Sequence, residues 1–296
     1  MARLPYAEIA PGRRTRPRTD HLIRLVLIRL LIFVFLAFFV AVCAVPFLWT
    51  IFSSFKTSQG IFTSALALPD RLHWENYAHA LTITNMPTAY LNSIIVTVFS
   101  VVLNASAALL AAYALARFHF RGRQLILFLL YLGVLVPINS AVLPIKVIMD
   151  RLHLTGSLPG LIILYAAIGI PISVLLLRAH IQGIPNEIDE SARVDGASFW
   201  GVLGKIIGPI ARPGLVTIAI LQMIYSWNEF LFAIILINAE SKRTLQIAIR
   251  FFLGRFSFDY GGLFAAMVLA IAPTVIIFII FQNTVVSALS AGAVKR

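Results

Sequence analysis

From Leu30 to Phe55 the chain carries no charged residue. About 20 apolar residues of α-helix cross a bilayer. A helix apolar on every side needs lipid or a large protein interior around it. Composition decides for lipid: of 296 residues, 60% are hydrophobic and 12% charged, whereas a soluble domain has about a quarter of its residues charged. The apolar run from Leu25 to Thr50 is too long for a signal-peptide core of about 7–15 residues, so it reads as a retained span. Val42 is too large for the position before a lipoprotein cysteine, and Arg13-Arg14 lie too far upstream of the apolar run for a twin-arginine signal. Cys43 is the single cysteine, which excludes an intrachain disulfide or a cysteine metal cluster.

Six runs of this kind occur, at residues 25–52, 88–116, 124–146, 158–179, 213–237 and 263–288. The expected fold is an all-α membrane protein of six transmembrane helices. The net charge of +12 would suit a nucleic-acid binder, but many of the basic residues stand at the ends of apolar runs, where they orient membrane proteins. No nucleic-acid partner is expected. With the N-terminus inside, the inner segments hold twice as many Lys and Arg as the outer ones. Both termini are therefore expected to be cytoplasmic.

The organisation follows: a cytoplasmic tail at 1–24, a first span with a long external loop at 25–87, a core at 88–290, and a cytoplasmic tail at 291–296. The loop at 53–87 predicts a short surface helix after Pro69-Asp70. The external loop at 238–262 is aromatic and basic, as interfacial segments are.

Polar residues within the spans form two stripes. Ser93, Thr97, Ser100 and Asn104 share one helix face in the second, above the small residues Ala107, Ala108, Ala111 and Ala112. Gln222, Ser226 and Glu229 share a face of the fifth, with Tyr225 beside them and Asn228 on another face. Such stripes either join helices or line a translocation path. Glu229 is the one acid placed well within a span, and three roles are open to it: binding substrate hydroxyls, relaying a proton, or bonding a neighbouring helix. Pro137, Pro144, Pro171 and Pro273 fall inside spans, where each frees a carbonyl and can kink its helix.

Between the fourth and fifth spans lies "IPNEIDESARVDG". Asn186 is a candidate helix cap answered by Asp189. Glu187, Asp189 and Glu190 would complement the helix dipole, and Gly196 would stop the helix. Ser198 would cap a second short helix through "FWGVLGKII", ended by Pro209. By itself this describes an amphipathic interfacial linker.

The order of residues is more specific. Glu190-Ser191-Ala192, three residues, Gly196, nine residues, then Ile206 and Pro209 resembles the Glu-Ala-Ala loop of the permease subunits of ABC importers. Asp195-Gly196-Ala197 has that family's usual form. Ser191 and Gly208 depart from it, where Ala and Leu are usual. "SWNEFLFAIIL", "GGLFAAMVLAIAPTVIIFIIFQ", "NSIIVTV" and the ending "LSAGAVK" resemble the carbohydrate, maltose-transporter-like subfamily, and in it the shorter six-span partner of a permease pair. The resemblance covers all but roughly residues 1–24.

It implies a multi-pass protein of a bacterial or archaeal inner membrane. Its partners would be a second permease, two ATP-binding subunits and an external substrate-binding protein. The loop at 186–213 would be the coupling segment. Glu190, Ser191, Ala192, Asp195, Gly196, Ala197, Phe199, Trp200 and Pro209 would meet the ATPase, and the C-terminal tail from Gly292 would reach it as well. ATP and magnesium would sit on the partner. "GVLGKI" echoes a phosphate loop, but its spacing is short and Ile206 stands where Ser or Thr would hold magnesium. The six histidines show no metal-ligand spacing, and Asn104-Ala105-Ser106 lies inside a span, where a glycosylation acceptor is not expected. No cofactor, metal or catalytic residue is expected on this chain. The contrasting reading is an ion-coupled secondary transporter with Glu229 carrying the proton. That class usually shows internal repeats, and none is found.

Overall fold

The computed structural model describes residues 19–83, 85–250, 252 and 259–293. It falls into two units, Met1–Ile51 and Phe52–Arg296. The N-terminal tail to residue 18, most of the aromatic loop at 251–258 and the last three residues lie outside the described residues.

The first unit holds all but the last two residues of α1 (Thr19–Ser53). From Ile23 to Val42 every side chain is exposed, and large apolar groups such as Phe33, Phe38 and Val40 point outward all round the helix. That is the surface lipid requires. Pro46 sits inside the helix without ending it.

The second unit begins with α2 (Ser58–Thr63) and α3 (Glu75–Ile83). The long spanning helix α4 (Met86–Arg117) follows. Next come α5 (Arg123–Leu135), α6 (Val142–Arg151) and α7 (Leu158–Gln182). The loop helices are α8 (Asn186–Val194) and α9 (Phe199–Ile210). The chain ends with α10 (Arg212–Asn228), α11 (Leu231–Leu236), α12 (Leu245–Arg250) and α13 (Tyr260–Ala293).

Among the described residues, four helices are long and apolar enough to cross a membrane; bent pairs bring the total to as many as six. Three of the expected spans are continuous helices in this second unit, namely α4, α7 and α13. The third expected span is not one helix. It breaks at Val136-Pro137, and α5 meets the segment Ile138–Arg151 at 94°. Pro137 lacks the N–H that would continue the ladder, and it takes an extended ψ of 106°. Pro144 falls in the first turn of α6, where a missing N–H costs nothing. Pro171 and Pro273 are carried inside unbroken helices.

Lipid tails are as apolar as leucine, so close packing rather than apolar burial must hold these helices together. The most extensive contact is between α4 and α7, followed by α4 with α10. Small residues make it possible: Ala108, Ala112 and Ala166 are buried. A Cβ at Gly169 would come within 1.9 Å of Gln222 Oε1 and 2.8 Å of Asn104 Nδ2. A Cβ at Gly133 would approach the Pro171 ring to 2.9 Å, so α5 crosses α7 there in near contact. The short helix expected after Pro69-Asp70 forms as α3 and packs on α13. Asn76 bonds the carbonyls of Ser54 and Lys56, both at 2.9 Å.

Candidate functional site

The charged segment between α7 and α10 folds as two short helices around a glycine. α8 ends in a paired motif: Gly196 N–H donates to Arg193 O at 3.1 Å, and Ala197 N–H to Ala192 O at 2.9 Å. This closure needs a left-handed residue after the helix, and Gly196 has φ +83°. Ser198 caps α9 through the Gly201 N–H at 3.2 Å, as expected.

Three details differ from expectation. Asn186 is the first residue of α8 and caps nothing; its side-chain oxygen accepts from Arg117 Nη1 instead. Asp189 does not answer it. It is 4% exposed, accepts from the Tyr113 hydroxyl at 2.9 Å, and lies 3.3 Å from Arg117 Nε. Partners arriving from α4 outcompete the local cap. Pro209 does not end α9, which runs on to Ile210 before a 78° bend at Ala211 into α10. Since Pro209 cannot donate to the carbonyl four residues back, the preceding turns at Val202–Ile207 widen to π geometry, with Gly208 N–H reaching Leu203 O.

The departures from the family pattern have local explanations. The Ser191 hydroxyl donates to Glu187 O at 2.6 Å, within its own helix. Gly208 sits in the widened turn, where a Cβ would stand 3.0 Å from Leu203 O. Ala192 is buried among Val202, Leu203 and Ile207. Phe199 turns its ring toward Tyr113 and Phe118, at centroid distances of 5.6 and 6.3 Å. Left on the outside are Glu187, Glu190, Asp195 and Pro209, with Val194 86% and Trp200 67% exposed. The segment thus offers exposed charges of both signs, Arg193 and Lys205 beside the three acids, around the exposed Val194 and Trp200 and the part-exposed Phe199, on a base tied to α4.

The polar residues of α4 face inward. Ser93 accepts from the Leu245 N–H at 2.8 Å, Ser100 donates to Ile162 O at 3.2 Å, and Asn104 donates to Ala166 O at 2.9 Å. Thr97 is buried beside them. Gln222, 3% exposed, donates to Tyr165 O and Ser226 Oγ, both at 3.0 Å.

Glu229 is not on the helix of Gln222 and Ser226, because α10 stops at Asn228 and Glu229 takes ψ 126°. Its carboxylate accepts from the N–H groups of Phe232 at 2.8 Å and Ala233 at 3.1 Å, and from the Tyr165 hydroxyl. It therefore caps α11 while holding α7. Tyr225 and Asn228 remain partly or largely open at the break. Tyr113, Arg117 and Tyr165 were not singled out from the sequence. A tyrosine inside an apolar run needs a partner for its hydroxyl, and that was the available signal.

The comparisons with known proteins identify the family and the fold. Residues 107–290 match the family model of the binding-protein-dependent transport system inner membrane component. The diacetylchitobiose uptake system permease protein of Streptomyces coelicolor is 34% identical over 253 residues, covering 85% of this chain and 84% of that one. The arabinooligosaccharides transport system permease protein of Halalkalibacterium halodurans is 32% identical over 267 residues, covering 89% and 94%. A crystal structure of a bacterial ABC transporter involved in import of the acidic polysaccharide alginate shares the fold. It has a TM-score of 0.78 at 24% identity, over 93% of this chain and 99% of that one. Matched along most of its length by such relatives, and over residues 107–290 by the family model, the chain belongs to the binding-protein-dependent transport system inner membrane components.

Proposed function

We propose that the chain is one permease subunit of an ATP-driven importer, and that it moves a carbohydrate delivered by an external binding protein. The observation that supports this is the α8–Gly196–α9 unit, two short helices fixed to α4 through Asp189 and Arg117 with Glu190, Val194 and Trp200 left exposed. Glu190, Val194 and Trp200 form the outward face for a cytoplasmic ATPase, and Ala192 and Phe199 form the base. The carbohydrate assignment is supported by what the relatives are named to carry.

Tyr225 and Asn228, open at the break in span five, are the path candidates. Ser93, Ser100, Asn104 and Gln222 are taken as helix-joining groups, since each is bonded to a neighbouring backbone or side chain. Glu229 is taken as a cap, since its carboxyl oxygens accept from the Phe232 and Ala233 N–H groups and the Tyr165 hydroxyl. The test is reconstitution with the co-purifying subunits in liposomes. ATP inside should drive uptake of a saccharide presented by its binding protein, and uptake by this chain alone, without ATP, would refute the reading.

A further inference from the structure

We infer that Arg117, paired with the Asp189 carboxylate that Tyr113 also bonds, is the positioning residue through which movement of the coupling loop reaches the membrane helices. The inference rests on the coupling role given above to α8 and α9.

Arg117 is the last residue of α4, and its side chain is 7% exposed. It grips the junction of α7 and α8 at three points. Nη2 donates to Ile184 O at 2.9 Å, in the connector. Nη1 donates to Asn186 Oδ1, at the start of α8. Nε lies 3.3 Å from Asp189 Oδ2, one turn further on. The same carboxylate oxygen accepts from the Tyr113 hydroxyl, one turn back along α4. Arg193, one turn along α8 from Asp189, donates to that hydroxyl at 3.4 Å and covers the Phe118 ring at 5.4 Å. Two more arginines lock the same end of α4: Arg123 of α5 and Arg178 of α7 both donate to Leu115 O, at 3.1 and 3.3 Å.

Stability alone does not account for the pair. A buried ion pair is a weak source of stability against an apolar substitute. Here Asp189 Oδ1 and Arg117 Nε are both buried without a hydrogen-bond partner, which is unfavourable. What a guanidinium fork adds is direction: it fixes both distance and orientation between two elements. The connector Gly183–Pro185 is short, and the fork ties it and the start of α8 to the end of α4. With the fork, a push on Glu190 or Trp200 displaces α4 and α7 instead of bending the connector.

The experiment uses the whole complex in liposomes and reads solute moved per ATP hydrolysed, together with the amount of assembled complex. The double variant Arg117→Met/Asp189→Leu removes both buried charges at once, so no charge is left unpaired to unfold the chain. It should assemble and hydrolyse ATP while solute per ATP falls about tenfold. Tyr113→Phe, which deletes only a hydroxyl, should lower the ratio about threefold. A wild-type ratio in the double variant overturns the inference. So does loss of complex with an unchanged ratio, which would mark a purely structural role. Failure of the unsubstituted chain to bind any ATPase would instead overturn the coupling reading on which the inference stands.

Discussion

At Gly196 one dihedral angle sets the geometry of the whole loop. Its φ of +83° costs an L-residue roughly 1–2 kcal/mol. A Cβ there would meet nothing within 4 Å, so the penalty is conformational and not steric. Gly196→Ala should therefore weaken the loop and slow uptake several-fold. Gly196→Pro, which fixes φ near −65° and deletes the N–H bonded to Arg193 O, should abolish uptake. Affinity for the external binding protein should be unchanged in both, and uptake and binding assays run together check this. Glu229 gives a second residue-scale prediction. Gln keeps one acceptor where the carboxylate serves Phe232, Ala233 and Tyr165. Glu229→Gln should lose on the order of 1–3 kcal/mol, seen as a lower melting temperature in detergent. Uptake per folded molecule should be nearly normal; a normal melting temperature with abolished uptake would restore Glu229 to the transport path.

Between elements, the decisive contact is where α4, α7 and α10 meet at Gly169. Asn104 and Gln222 occupy the space a side chain would fill, and each is bonded to a backbone carbonyl of α7. Gly169→Ala should displace them and destabilise the bundle by about 1–3 kcal/mol. Adding Gln222→Ala, which vacates the nearest atom, should recover part of that loss in a double-mutant thermal-melting series. Such contacts explain what the sequence could reveal. The lengths of α4 and α7 follow from apolar runs, and the ends agree within a few residues because polar flanks and Pro159 mark them. The break in the third span was illegible, because Pro137, Pro144 and Pro171 look alike in sequence. Only Pro137 stands where the chain leaves the helix and re-enters at 94°. The pair of short helices around Gly196 was legible from capping residues and spacing. Its anchor was not, because Arg117 is one of many basic residues flanking spans, and nothing local pairs it with an aspartate 72 positions on. Asn186 and Asp189 misled for the same reason: both have strong local uses that a partner from α4 displaced.

For the molecule as a whole, the coupling reading fixes which end of the bundle faces the ATP supply. The coupling reading requires α8 and α9 on the cytoplasmic side, and the loop after α1 on the opposite side. The charge bias favours that orientation. Arg117, Arg123, Arg178 and Arg193 cluster at the loop-bearing end, where three of them bond backbone carbonyls or the Asp189 carboxylate. Some of the bias thus reflects built contacts as well as a topological signal, and thiol labelling separates the two. The chain has one cysteine, the exposed Cys43, and Cys43→Ser gives a background without thiols. Leu66, 89% exposed, and Val194, 86% exposed, lie on the segments whose sidedness is in question, and neither is packed. Leu66→Cys in intact cells should react with a membrane-impermeant maleimide. Val194→Cys should react only after the membrane is opened, and less when the ATPase subunits are bound. The reverse pattern would place α8 outside, where no ATP-driven partner could reach it, and would remove the physical basis for coupling through this loop.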